Sequence, residues 1–129
     1  MAGVAGASKQ QFPNSRVNMP ETLEIVGTIT TNGAAPTRTF GRGFVVTQQG
    51  TGIYRIAFNI NTPRIVAVTG MLVKAATSAT FLEVQDMLAT NNYVTFRVVN
   101  ASGTAVAPGA VGDQISFDII VMTVKLPVV

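Results

Sequence analysis

The chain contains no cysteine, no histidine and no tryptophan. Without cysteine, disulfides, thiolate metal sites and a thiol nucleophile are all excluded. Without histidine, the commonest general base, the commonest metal ligand and the side chain that titrates near neutral pH are lost together. Charge is scarce too: 12% of residues are Asp, Glu, Lys or Arg, against about 25% in ordinary soluble domains. With a hydrophobic content of 47% and a mean hydropathy of +0.39, the surface must carry much neutral or apolar area, which suits burial in an oligomer or larger assembly.

The net charge of +3 comes from nine basic residues scattered singly along the chain. They form no basic run and no cluster with interleaved aromatics, so nucleic acid is not an expected partner. The pI of 9.8 reflects few acids more than a basic patch. No apolar run approaches the ~18–20 residues of a membrane-spanning helix. An outer-membrane barrel would need aromatic girdles, for which Tyr54 and Tyr93 are the only tyrosines. No membrane partner is expected. Gly3, Gly6, Ser8 and Lys9 interrupt the apolar stretch a signal peptide would need, so classical secretion is not indicated.

The six carboxylates are Glu21, Glu24, Glu83, Asp86, Asp113 and Asp118. Within each neighbouring pair the spacing is three or five. In one regular strand such residues point to opposite faces, so no pair is set across a cleft as glycoside hydrolysis requires; only a cross-strand pairing would join two of them. Asp113 stands nearly alone in its loop, unlike the compact oxygen-rich loop of a calcium site. Lys9, Lys74 and Lys125 are widely separated, which leaves little scope for activating a serine or threonine. The expectation is no enzyme, no cofactor and no metal.

Period-two alternation dominates from Leu23 onward. Leu23, Ile25, Gly27 and Ile29 share one strand face before a turn at Asn32-Gly33. Phe40 to Gln48 reads as a second strand, with Gly41 and Gly43 marking a bulge rather than a phosphate loop, since no Gly-Lys-Ser/Thr follows. Tyr54, Ile56 and Phe58 belong to a core, and Arg64 to Val73 forms a long β-branched run. The segment from Thr77 to Thr90 fits either a helix capped by Ser78 or a strand over Thr80 to Asp86, and the strand is preferred between strong strands. Tyr93 to Val99 alternates, a loop runs from Asn100 to Asp113, and Gln114 to Lys125 closes the chain. In this last strand Ile115, Phe117, Ile119 and Val121 face a core while Ile120, Met122 and Val124 offer a second apolar face. About seven strands with regular turns give an all-β, jelly-roll-like antiparallel β-sandwich over residues 21–129. Residues 1–20 read as an extended N-terminal arm, with Phe12, Arg16 and Met19 as its anchoring side chains.

Three stretches resemble the small capsid decoration or cement proteins of tailed phages. They are Gly50-Thr51-Gly52-Ile53-Tyr54-Arg55-Ile56-Ala57-Phe58, the run from Val94 to Ala105, and Ile115-Ser116-Phe117-Asp118-Ile119-Ile120-Val121. The resemblance implies a virion structural protein on the capsid exterior, a homodimer or homotrimer that clamps neighbouring major capsid protein subunits, with no catalytic residues. In that setting Phe12, Arg16, Met19, Ile120, Met122 and Val124 are the expected contact residues. The alternative is a receptor- or glycan-binding module of a tail or fibre, centred on Tyr93 and the Asn100 to Asp113 loop.

Overall fold

A computed structural model describes residues 22–31, 35–58, 64–87 and 92–122. The arm and the Asn32-Gly33 turn lie outside the described residues. Among the described residues there are eight strands: β1 (Thr22–Thr30), β2 (Thr37–Gly41), β3 (Phe44–Gly50), β4 (Ile53–Phe58), β5 (Arg64–Val73), β6 (Phe81–Gln85), β7 (Tyr93–Val99) and β8 (Gln114–Met122). They form two four-stranded sheets, ordered β2-β1-β8-β5 and β3-β4-β7-β6. Every pairing is antiparallel. The chain is thus an all-β antiparallel sandwich, as its alternation predicts. Like a jelly roll it sets the first and last of the described strands side by side; β1 and β8 pair from Thr22↔Met122 to Thr30↔Gln114.

The stretch from Phe40 to Gln48 is not one bulged strand but two strands in opposite sheets. Gly41 and Gly43 have φ of 94° and 89°, and they turn the chain from one sheet into the other. A Cβ on Gly41 would lie 2.3 Å from the Val26 carbonyl oxygen, so only glycine fits that corner. The bulge in this region lies within β2, at Thr39, where the β1–β2 register shifts between Thr28 and Ile29. The Thr77 to Thr90 segment resolves as expected into a strand, β6, which stops at Asp86 with its φ of 56°.

Alternate residues of the central strands fill the space between the sheets. Ile25 and Ile29, Tyr54, Ile56 and Phe58, Val94, Phe96 and Val98, and Ile115, Phe117, Ile119 and Val121 are all buried. Each such side chain contributes roughly 1.5–3 kcal/mol on leaving water. Phe117 sits at the centre, with Phe44 edge-on at 5.0 Å and Phe96 tilted at 5.6 Å. At one end of the sandwich the Asn100 to Asp113 loop folds back on the protein. Val106 N–H donates to Val98 O at 2.9 Å, and Val98 N–H to Gly52 O at 2.8 Å. The Asn100 side chain accepts from the backbone of Ser102 and Thr104 and so ties the loop tip. Asp113 closes this end: its Oδ1 accepts from Ala75 N–H at 2.8 Å, and its carbonyl accepts from both N–H and Oγ1 of Thr31.

Candidate interaction surface

Residues of β1 and β8 that alternate with the core set point out of the first sheet. The register fixes their neighbours. Phe40 lies opposite Thr28, Thr28 opposite Ser116, and Ser116 opposite Met71. The next rows are Val26, Asp118 and Thr69, then Glu24, Ile120 and Ala67. Phe40 is 64% exposed, Met71 60%, Val26 44% and Val73 42%, four sizeable apolar side chains on one sheet face.

The polar groups between them are largely partnered within the sheet. Thr28 and Ser116 share a hydroxyl hydrogen bond at 3.0 Å. Gln114 Nε2 donates to Thr30 Oγ1 at 3.2 Å, and Thr30 in turn bonds the Thr39 hydroxyl. A partner laid on this face therefore covers apolar tips without stranding these hydroxyls, so desolvation takes little from the gain.

The acidic feature here is a carboxyl pair. Glu24 and Asp118 occupy diagonal positions on β1 and β8 and share a hydrogen bond. That hydrogen bond, then charge repulsion from Asp118, then some desolvation hold Glu24 above the usual carboxylate range. One Asp118 oxygen, Oδ1, is enclosed without a partner. Sequence spacing excluded pairs within a strand but could not reveal this cross-strand one, since it depends on the β1–β8 register. The pair lies on an open sheet, in contact with itself rather than facing across a cleft as hydrolysis of a glycosidic bond needs.

Of the residues expected to make contacts, Ile120 lies on this face half-buried, and Met122 is 8% exposed, with little surface to offer. Phe12, Arg16, Met19 and Val124 lie outside the described residues. Sequence reading missed Val26, Phe40, Met71 and Val73. Val26 was legible as facing away from Ile25, but Phe40 was read into one strand with Phe44 to Gln48, which lies in the other sheet.

The outer face of the second sheet mixes two exposed apolar side chains, Val45 and Phe81, with polar and charged ones. The Arg55 guanidinium lies 3.9 Å from the centre of the Tyr93 ring. Arg97 pairs with Glu83 on the neighbouring strand. Thr95 is buried, and both its Oγ1 and Arg55 Nε lack partners. No group of three or more acidic, histidine or cysteine side chains converges among the described residues, so nothing there forms a metal-ligand cluster. Compared with known protein families, curated proteins and solved structures, the chain shows no match.

Proposed function

We propose that this protein is a virion structural protein, a decoration or cement protein that binds the outer surface of a tailed-phage head and holds neighbouring major capsid protein subunits together. The observation that carries the reading is the outer face of the β2-β1-β8-β5 sheet. There Val26, Phe40, Met71 and Val73 stand exposed among hydroxyls that already bond one another. Such a face gains from apolar contact over these side chains, the Glu24 and Asp118 carboxyls needing water or a donor from the partner, and repetition over a lattice turns modest single contacts into avidity. The low charge of the whole chain and the resemblance of its strands to cement proteins support the same reading.

Binding to shells stripped of this protein tests it. Phe40→Asp together with Met71→Asp places two charges on the face without touching the core, and is expected to abolish occupancy while leaving the thermal midpoint within a few degrees. Full occupancy by this variant would sink the assignment of the face. Deleting residues 1–18 is expected to weaken attachment with the fold intact, which checks the contribution of the arm. The alternative, a receptor- or glycan-binding module, would use Tyr93 as a stacking platform. Arg55 already lies over that ring, which counts against it.

A further inference from the structure

The four sheet edges are unequal. An exposed edge invites pairing with another chain, and proteins blunt it with short strands, bulges, charges or proline. Strand β2 has five residues and carries a bulge. Strand β3 is bulged between Gln48 and Gly50. Strand β6 has five residues, bears Glu83 and ends at the left-handed Asp86. Strand β5 differs: it has ten residues, and its only irregularity lies near one end, between Ile65 and Ala67. From Ala67 to Val73 it pairs in unbroken register with Ile120 to Gln114 of β8, and among the described strands nothing pairs with its other side. No charge and no proline occurs from Ile65 to Val73; Arg64 and Lys74 flank the run.

We infer that β5 is a self-association edge, and that two copies of this chain join antiparallel through it about a two-fold axis at Gly70, making the first sheets one continuous sheet. The register follows from the sequence. A slip by one residue would set outward side chains against inward ones, so only shifts that keep the faces matched are open. Setting Thr69 opposite Met71 and Ala67 opposite Val73 uses the whole regular run from Ala67 to Val73 and keeps Arg64 and Lys74 outside the ladder. A shift one way brings Arg64 opposite Lys74, like charge on like. A shift the other way shortens the ladder. The pairing is isologous, so it closes at two copies and leaves no free β5 edge. It also doubles the apolar outer face: the two Met71 side chains lie diagonally across the axis, and each Val73 lies opposite Ala67 of the other copy. This inference stands apart from the shell reading, since it concerns the isolated protein.

Sedimentation of the purified full chain tests it. A dimer is expected, and Thr69→Glu with Met71→Glu, which sets like charges opposite one another, is expected to raise its dissociation constant by about a hundredfold or more with the fold unchanged. The matching variant Thr69→Lys with Met71→Lys is expected to be monomeric alone and to dimerise when mixed with the acidic one. Because the chain has no cysteine of its own, Thr69→Cys and Met71→Cys chains mixed and oxidised report the register directly; a cross-linked heterodimer is expected even if the charged variants fold poorly. A chain that stays monomeric up to about 100 µM overturns the inference. So does a trimer, or a dimer that survives charge on β5 but is broken by Phe40→Glu.

Discussion

Gly27 occupies an inward position of β1, directly under the Phe44 ring. A Cβ there would lie 2.4 and 2.6 Å from two Phe44 ring carbons and 2.9 Å from Phe117 Cζ. Carbon atoms prefer about 3.5–4.0 Å, so Gly27→Ala drives about 1 Å of overlap into two rings at once. Phe44 has little room to yield. Its edge meets Phe117 at 5.0 Å, Arg38 lies 5.5 Å from its ring centre, and its backbone is held opposite Phe58 and by Arg38 Nη1 at 3.1 Å. Overpacking of this kind costs about 1–3 kcal/mol, and spoiling the ring pair adds about 0.5–1.5 kcal/mol. Loss of glycine's freedom in the unfolded chain returns about 0.4–1 kcal/mol. The net destabilisation is therefore about 2–3 kcal/mol, a large share of the roughly 5–15 kcal/mol of a typical domain. Urea unfolding should show a lower midpoint with unchanged slope. Phe44→Leu frees the space, so the double variant should recover about 1–2 kcal/mol relative to the sum of the single changes. A Gly27→Ala protein as stable as the parent, or a double variant with no coupling, would refute the packing argument.

Three further outcomes are expected. Glu24 binds its proton more tightly in the folded protein than in the unfolded chain, so its contribution to stability is present below the ordinary glutamate range, about pH 4.3, and is lost as pH rises through the raised folded value; Glu24→Gln should remove that part of the pH dependence in thermal melts. Asp113→Ala strands the Ala75 N–H at a buried loop junction and should lower stability by about 1–3 kcal/mol, measured by denaturant titration. Gly41→Ala sets a Cβ against the Val26 carbonyl at a positive φ; it should lower the folding yield or cost at least about 1–2 kcal/mol, measured by urea unfolding.

The strands that lie in the middle of a sheet were legible in the sequence. Tyr54, Ile56 and Phe58, and Ile115, Phe117, Ile119 and Val121, alternate strictly because one face of each strand is buried, and they line the core as read. The sheet-switching corner was not legible. Glycines at 41 and 43 signal an unusual backbone, but whether the chain bulges within a sheet or crosses to the other depends on the Val26 carbonyl and the Phe44 ring, which reach it from other strands. The surface was legible in part for the same reason. Ile120 was placed on the correct face by alternation, whereas Phe40 and Met71 come to that face only through their registers with β1 and β8. Glu24 and Asp118 are far apart in the chain, and only those ladders make them neighbours.

The most direct test of the central claim is the copy number of this protein in purified particles from its source, determined by quantitative protein composition. A simple whole-number ratio to the major shell protein is the result predicted for a cement protein. A handful of copies per particle would contradict it and point to the tail, and absence from particles would remove the virion assignment altogether.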